Sequence, residues 1–209
     1  MSARARAGVI AVAMTGASGA QYGLRLIECL VRAGQPIHLM LSKPAQIVIG
    51  SETELKLPGR SSEIARALAE KFGAGEGQIQ AFGPDEWTAP LASGSAAPQA
   101  MVVCPCSMAT LASIAAGASR SLMERAADVV LKEGSKLILV PRETPLSAIH
   151  LENMLKLARL NVVILPANPG FYHRPQSVAS LVDFIVARVL DHLGLDHPVS
   201  RRWRDMGKG

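Results

Sequence analysis

The chain has 209 residues, of which 49% are hydrophobic and only 4% aromatic, and its formal net charge is +5 at pH 7. This length is enough for one α/β domain with a sizeable core built from aliphatic side chains. The basic charge balance is compatible with nucleic acid, a membrane surface or a small phosphorylated ligand. Because the longest run of basic residues is Arg201-Arg202 and aromatic residues are few, we expect no nucleic-acid partner.

The cysteines and the apolar segments indicate the compartment. Three cysteines in apolar surroundings are an odd number, which excludes a disulfide scaffold and favours a reducing compartment. The apolar segment after the basic N-terminus is broken by Gly16 and Gly19, so it is predicted as a strand and not as a signal peptide. Prolines interrupt the longest uncharged segment, 87–119, which excludes a membrane span there. We therefore expect a cytoplasmic protein.

Strands and helices are predicted to alternate along the chain. The strands are 9–14, 36–41, 79–82, 100–103, 136–140 and 161–165. The helices are 20–32, one starting near 44, 61–72, 108–116, 122–132, 146–159 and 177–193. This alternation predicts an α/β fold with a single-domain doubly wound parallel sheet, Rossmann-like or flavodoxin-like. We expect one domain over 1–209, with a core at about 8–194 and a basic tail at 195–209.

Two strand-to-helix turns are the strongest sign of a ligand site. The first, 16–19, reads Gly-Ala-Ser-Gly, and the second carries Ser107 and Thr110 with no charged residue. Carboxyl ends of parallel strands meet at one edge of the sheet, and the first turn of each following helix has unpaired N–H groups. The two turns therefore predict a mononucleotide held across this edge.

The type of nucleotide follows from two departures from an NAD-binding pattern. Segment 16–19 is not a G-x-G-x-x-G turn, and Ser42-Lys43 stand where an NAD site would place an acidic residue. Both departures favour FMN at the point where the strand order reverses. A tight turn that binds no ligand is the alternative explanation of Gly16 and Gly19.

Charged and polar residues also follow the later strands. Arg142 and Glu143 stand between two prolines after the fifth strand, and Tyr172 follows the last strand. Ligands of open α/β sheets bind at such strand ends, although an exposed salt bridge and a helix cap would give the same pattern. Arg125 and Lys132 are seven residues apart and share a helix face, which is either a basic stripe or a solvated surface.

Three further residues carry weaker signals. Arg188 is predicted on an otherwise apolar helix face, where its long side chain can reach solvent. Glu52 is predicted to start a polar loop. His173 lies near Tyr172 and is an acid–base candidate. The five histidines do not have the spacing of metal ligands, so no metal site is predicted.

Five segments, in order, resemble the UbiX-like flavin prenyltransferases, formerly labelled 3-octaprenyl-4-hydroxybenzoate carboxy-lyases and grouped with other FMN-binding flavoproteins. They are 16–19 (Gly-Ala-Ser-Gly), 104–110 (Cys-Pro-Cys-Ser-Met-Ala-Thr), 125–129 (Arg-Ala-Ala-Asp-Val), 142–146 (Arg-Glu-Thr-Pro-Leu) and 169–172 (Pro-Gly-Phe-Tyr). The resemblance implies an enzyme that joins a dimethylallyl group from dimethylallyl monophosphate to N5 and C6 of reduced FMN. Its product, prenylated FMN, would serve a separate UbiD-like decarboxylase in ubiquinone synthesis or in the decarboxylation of aromatic acids.

The resemblance also implies roles for individual residues. Those expected to contact FMN are Gly16, Ala17, Ser18, Ser42, Ser107, Met108, Ala109, Thr110 and Arg142. Those expected to be catalytic are Ser18, Glu52, Arg125, Lys132 and Glu143. Those expected to contact the prenyl phosphate or its chain are Tyr172, Arg188, Lys132, Trp87 and Trp203. A homo-oligomer is implied, with trimers assembled into a dodecamer and sites at the subunit interfaces.

The expected chemistry needs no metal ion. Breaking the allylic C–O bond leaves negative charge on phosphate, which Arg and Lys side chains can stabilise. The sequence has no adjacent pair of Asp residues of the kind that holds Mg²⁺ in diphosphate enzymes. The resemblance and this absence together favour a metal-independent reaction.

Two other functions stay open at this point. One is an FMN-dependent decarboxylase of the phosphopantothenoylcysteine type, which would need a catalytic histidine near the flavin. The segment 43–59 contains no histidine, which weakens this reading. The other is a non-catalytic flavin carrier, which would not need the cationic residues.

Overall fold

One six-stranded parallel sheet organises the part of the chain that the computed structural model describes, residues 8–199. Its strands are β1 (Ile10–Met14), β2 (Ile37–Leu41), β3 (Ile79–Phe82), β4 (Ala100–Cys106), β5 (Lys136–Pro141) and β6 (Val163–Ile164). They lie in the order β3-β2-β1-β4-β5-β6. The predicted doubly wound α/β fold is therefore confirmed. The order reverses between β1 and β4, and open sheets of this kind bind ligands there, beyond the carboxyl ends of the strands.

Seven α-helices in residues 8–199 flank the sheet. They are α1 (Ala20–Arg32), α2 (Lys43–Glu52), α3 (Ser61–Phe72), α4 (Met108–Ala115), α5 (Leu122–Lys132), α6 (Ala148–Ala158) and α7 (Val178–Leu193). The predicted bounds of α1 and α5 agree with the structure. The predicted helix 146–159 is shorter, because the Ser147 side chain accepts the His150 N–H and caps α6 at that point. None of the helices in residues 8–199 is long and apolar enough to cross a membrane.

The strand ends differ more from prediction than the helix ends. β4 continues three residues beyond the predicted 100–103, and its register with β5 is irregular between Val103 and Cys106. The last strand shrinks from the predicted 161–165 to Val163–Ile164. The longer β4 carries Cys104-Pro105-Cys106 in the sheet and delivers Ser107 directly to α4. The three cysteines are free and buried.

Two apolar clusters, one on each face of the sheet, form the core. The first contains buried residues of α1, α2, α3 and α7, such as Leu26 and Val186. The second contains buried residues of α4, α5 and α6, such as Leu111, Ala127 and Leu157. Successive strand residues point to opposite faces, so the apolar strands supply both clusters. The sheet therefore separates α5 from α7.

Gly23 brings α1 into close contact with β4. A Cβ at this position would lie 2.3 Å from the Cys104 carbonyl oxygen, a backbone atom that cannot rotate away. We predict that Gly23→Ala lowers the free energy of unfolding by about 1–3 kcal/mol, the usual cost of overpacking. Gly50→Ala in α2 is the control. A Cβ there meets no atom within 4 Å, and alanine should raise the unfolding free energy by up to about 1 kcal/mol. Urea unfolding measures both, and a Gly23→Ala protein as stable as wild type would contradict the close packing.

Candidate active site

Thr15 joins the two predicted turns at the carboxyl edge of the sheet. Its side chain is 2% exposed, and its Oγ1 donates a hydrogen bond of 2.9 Å to the Pro105 carbonyl oxygen. The same Oγ1 accepts the Ser107 N–H at 2.7 Å. The Thr15 N–H also donates to the Pro105 oxygen, at 3.2 Å. These bonds hold the β1–α1 turn beside the β4–α4 turn, as the sequence predicted, although Thr15 itself was not among the predicted site residues.

The start of α2 covers the β1–α1 turn. The Ser42 N–H donates to the Met14 carbonyl oxygen at 3.1 Å, and the Ser42 Oγ accepts the Ala45 N–H at 3.1 Å as the cap of α2. A Cβ on Gly16 would lie 2.4 Å from the Cβ of Pro44, so the turn has no room for a side chain there. Gly16 is thus explained by this close approach, and Ser42 lies next to the turn.

The β4–α4 turn presents polar donors. The Ser107 side chain caps α4 by accepting the Thr110 N–H at 3.3 Å, and the Ser107 hydroxyl donates to the Thr110 Oγ1 at 3.1 Å. Met108 and Ala109 form the first turn of α4, where N–H groups have no partner within the helix. Such a turn, with two hydroxyl groups beside it, is suited to an anion.

Glu52 lies at the N-terminus of α1. It is the last residue of α2 and does not start a polar loop, so that prediction was wrong. Its Oε2 accepts the N–H groups of Gly19 and Ala20, both at 2.9 Å. Burial would raise the pKa of Glu52, but the hydrogen bonds from Ser18, Gly19 and Ala20 and the charge of Arg142 together lower it below its ordinary value.

Arg142 and Ser18 complete a cluster around this carboxylate. The Arg142 Nε donates to the Ser18 carbonyl oxygen at 3.1 Å, across 124 residues of sequence. The Ser18 side chain hydrogen-bonds to Glu52. Glu143 follows at the end of β5 and is exposed, with its Oε1 accepting the Thr144 N–H at 3.2 Å. The structure therefore brings Ser18, Glu52 and Arg142 together beside the turn that holds Gly16 and Ala17.

The lowered pKa of Glu52 predicts a pH-dependent contribution to stability. A carboxylate at a helix N-terminus stabilises the fold by about 1 kcal/mol. Because the folded pKa lies below the unfolded one, this contribution is complete above the unfolded value, about 4.3, and is lost as the pH falls through the folded pKa. Glu52→Gln should therefore be less stable than wild type at pH 7 and should approach it under acidic conditions. Urea unfolding at a series of pH values measures the gap, and a gap that does not depend on pH would contradict this assignment.

The two basic residues of α5 are already paired with acids. The half-buried Arg125 side chain donates to the Ala92 carbonyl oxygen at 3.2 Å and to Asp128 at 2.7 Å. Lys132 forms an ion pair with Glu133. The expected basic stripe is therefore neutralised within the chain. Lys132 ends α5 just before β5 begins, which places it at the amino edge of the sheet, away from Glu52.

The long side chain of Arg188 reaches solvent, as predicted. Its side chain is exposed and forms an ion pair of 2.9 Å with Asp191. The C-terminal end of α7 reaches the amino edge of the sheet, where Lys136, the first residue of β5, donates to the His192 carbonyl oxygen. Within one chain, Arg188 thus lies apart from the cluster around Glu52.

Tyr172 lies on the α7 side of the sheet. Its ring contacts Phe184 of α7 edge-on, with 5.6 Å between centroids, and its side chain remains 51% exposed. His173 stacks on the same Phe184 ring at 5.3 Å. Trp87 is exposed in the turn after β3, and Trp203 lies outside the described residues. Residues 8–199 hold no group of three or more His, Cys, Asp or Glu that could bind a metal ion.

A parallel sheet whose strand order reverses beside hydroxyl-bearing and glycine-containing turns is typical of mononucleotide-binding α/β proteins. Residues 2–190 match the Flavoprotein family, and the chain belongs to that family.

Within this family, the chain belongs to the UbiX-like flavin prenyltransferases. It is 58% identical, over 93% of both chains, to the flavin prenyltransferase UbiX of Pseudomonas aeruginosa. It is similar to the crystal structure of AnUbiX (PadA1) in complex with FMN and dimethylallyl pyrophosphate, with 42% identity, a TM-score of 0.84 and coverage of 95% of this chain and 98% of that one. It is also similar to a dodecameric FMN-dependent UbiX-like decarboxylase from Escherichia coli O157:H7, with 45% identity, a TM-score of 0.82 and coverage of 93% and 98%.

Proposed function

We propose that this chain transfers a dimethylallyl group from dimethylallyl monophosphate to N5 and C6 of reduced FMN. The observation that carries the proposal is the Glu52 carboxylate held at the N-terminus of α1, beside Ser18 and Arg142, within a chain 58% identical to a flavin prenyltransferase. An ionised carboxylate at this edge can act as a base, and the neighbouring turns can hold the nucleotide.

The residues of the edge fit FMN. Gly16 lets α2 close over the β1–α1 turn, because Pro44 occupies the space that a side chain would need, and the hydroxyls of Ser42, Ser107 and Thr110 offer hydrogen bonds. Two N–H groups at the start of α1, those of Gly19 and Ala20, donate to Glu52. We therefore assign the phosphate of FMN to the first turn of α4, with the amides of Met108 and Ala109.

The flavin and the side chains of the protein have different roles in the proposed reaction. When bound, reduced FMN would supply N5 and C6. N5 would exchange its proton for the prenyl carbon as the allylic C–O bond breaks with its electron pair on phosphate. C6 would bond to the other end of the prenyl group after a proton adds to the prenyl double bond, and the C6 proton would pass to the departing phosphate. Glu52, whose lowered pKa keeps it ionised at neutral pH as an ordinary carboxylate also is, would accept the proton lost from N5 and return it to the prenyl double bond. Ser18 orients that carboxylate, and Arg142 holds the Ser18 carbonyl in place. Glu143 is placed at the same edge.

The departing phosphate needs cationic partners, which we assign to Arg125, Lys132 and Arg188 with the Tyr172 hydroxyl. Within one chain the sheet separates α5 from the α7 side, where Tyr172 lies. We therefore propose that these groups meet across subunit boundaries in a homo-oligomer. A dodecamer is the expected form, since the similar Escherichia coli structure is dodecameric. Trp87 and Trp203 are proposed to shield the prenyl chain from water.

The product and its use complete the proposal. Prenylated FMN is expected to leave the enzyme for a separate UbiD-like decarboxylase, with ubiquinone synthesis as one pathway served. The free, buried cysteines support a cytoplasmic location. A single domain over 1–209 is proposed, since residues of all six strands belong to one sheet.

One anaerobic experiment tests the function. The purified protein is incubated with reduced FMN and dimethylallyl monophosphate, and the mass of the flavin is measured. A gain of one C5 unit supports the proposal, and unchanged flavin overturns it. A parallel reaction with the diphosphate identifies the donor. Release of CO₂ from a cysteine-containing substrate would instead support the decarboxylase, and FMN binding with neither product would support a carrier.

We predict that prenyl transfer continues without divalent metal. The reason is that cationic side chains replace the Mg²⁺ that Asp-rich diphosphate enzymes use. The assay above, repeated with EDTA at saturating substrate, should give an unchanged rate. Loss of activity in EDTA with recovery on adding Mg²⁺ would contradict the cationic mechanism.

A further inference from the structure

Among residues 8–199, Thr15 is the one buried residue that is polar or charged. Every other buried residue in this range is apolar, or is a glycine, a proline or a cysteine. A hydroxyl placed in such surroundings costs free energy unless it is fully hydrogen-bonded. The Thr15 hydroxyl meets this condition, because it donates to Pro105 and accepts from Ser107.

We propose that Thr15 is a positioning residue for the FMN site, which fixes the β4–α4 turn in the orientation that binds the phosphate. This inference rests on the proposed function. The Ser107 N–H points inward to the Thr15 Oγ1, while the Ser107 side chain caps α4. With these two groups fixed, the following amides of Met108 and Ala109 have a defined direction at the edge of the sheet. Thr15 itself is buried beneath the turns and does not contact the reacting atoms.

Among the described residues, Thr15 supplies the side-chain hydrogen bonds that are recorded between the end of β1 and the end of β4. Thr15 follows β1 and Pro105 lies in β4, 90 residues later, so the hydroxyl ties together the two turns that form the site. In the low dielectric of the interior, a hydroxyl that donates and accepts at once strengthens both hydrogen bonds. Valine has nearly the same shape without the hydroxyl. In Thr15→Val the backbone bond from residue 15 to Pro105 can remain, but the Ser107 N–H loses its acceptor.

The test measures FMN affinity separately from turnover and stability. Quenching of FMN fluorescence by the full-length protein gives the dissociation constant, and thermal unfolding without ligand gives the stability. We expect Thr15→Val to raise the dissociation constant about tenfold, because the Ser107 N–H is left without its acceptor. Thr15→Ser restores the hydroxyl and should bind FMN like wild type. At saturating FMN and prenyl phosphate, kcat of Thr15→Val should stay near wild type while KM for FMN rises.

Val12→Ala is the matched control for a loss of stability. Val12 is fully buried in β1, three residues before Thr15, and has no polar group to lose. This variant should unfold at a lower temperature and bind FMN normally. If Thr15→Val does not fold, Thr15→Ala removes the same hydroxyl and should weaken FMN binding at least as much.

Three outcomes would overturn the inference: normal FMN affinity in Thr15→Val or Thr15→Ala, no rescue by serine, or an equal loss of affinity in Val12→Ala. Each leaves the proposed function intact, since wild type still binds FMN. Wild-type protein that binds no FMN would overturn both the inference and the proposed function.

Discussion

Ser18→Ala is expected to slow prenyl transfer by about 100- to 1,000-fold, which corresponds to about 2.7–4 kcal/mol for one oriented donor. The Ser18 hydroxyl hydrogen-bonds to Glu52 and helps to hold its pKa below the ordinary value. Alanine removes this bond and leaves the Ser18 carbonyl, which accepts from Arg142, unchanged. FMN affinity should therefore change little, because the phosphate is assigned to a different turn.

The measurement separates chemistry from binding. Single-turnover rates at saturating reduced FMN and prenyl phosphate report the chemical step, and fluorescence titration reports FMN affinity. Ser51→Ala is the control, since the recorded bond of the exposed Ser51 hydroxyl in α2, within residues 8–199, is to the Val48 carbonyl oxygen of its own helix. It should behave like wild type. Equal losses in affinity and rate for Ser18→Ala would make Ser18 an ordinary binding contact.

Glu143→Gln is expected to follow the same pattern, with a larger loss of rate than of FMN affinity. The Glu143 carboxylate is exposed at the end of β5, and within residues 8–199 its one recorded partner is the adjacent Thr144 N–H. It is thus available to a ligand or to a neighbouring subunit. Glutamine keeps the shape, removes the charge and replaces one accepting oxygen with an NH2 donor.

The order of elements could be predicted because the patterns are local. Buried parallel strands are visible in the sequence as short apolar runs, and helices end close to glycines such as Gly34. The length of β4 could not be predicted in the same way. Proline cannot donate to the strand pairing, and Pro105 lies where the register with β5 is irregular, between Val103 and Cys106; Cys106 then pairs again with Pro141 of β5.

The site was predictable only in part, because some of its residues are brought together by contacts between segments that are far apart in the sequence. The turns at Gly16 and Ser107 are visible as short motifs that follow strands. The role of Glu52 depends on a contact with an element more than 30 residues away, between Glu52 and the N–H groups of Gly19 and Ala20. Sequence periodicity carries no information on such a contact. Thr15 gave one usable signal, a polar residue directly between a buried strand and a glycine turn.

The positions of the cationic residues of α5 could be predicted from the sequence, but their ion pairs could not. Spacing correctly placed Arg125 and Lys132 on α5, but their pairing with Asp128 and Glu133 was not visible in the helix pattern. These ion pairs are exposed or half-buried and contribute little on their own, about 0–1 kcal/mol each. A phosphate ligand can therefore replace the acidic partners at low cost, which keeps the proposed role of both residues compatible with the structure.

The proposed sharing of sites between subunits predicts that two inactive variants restore activity when they assemble together. Arg125 packs on the α5 side of the sheet, and Tyr172 packs against Phe184 on the α7 side. The sheet keeps them apart in one chain, so a site that uses both must draw on two chains. Arg125→Ala and Tyr172→Phe should each be nearly inactive alone. In an equal mixture, about one quarter of the sites would receive both wild-type residues, by random assembly of a symmetric oligomer.

The experiment needs verified mixed oligomers and a control pair. Differently tagged variants are co-expressed, purified through both tags and assayed for prenylated FMN. Arg125→Ala mixed with Lys132→Ala is the control, because both residues lie on α5 of one chain and reach a site together. No chain in that mixture can supply both wild-type residues, so activity should not return. Recovery in the first pair alone supports sites built across subunit boundaries. No recovery in the first pair would place Arg125 and Tyr172 in the site of a single chain, and would exclude the arrangement proposed for the phosphate.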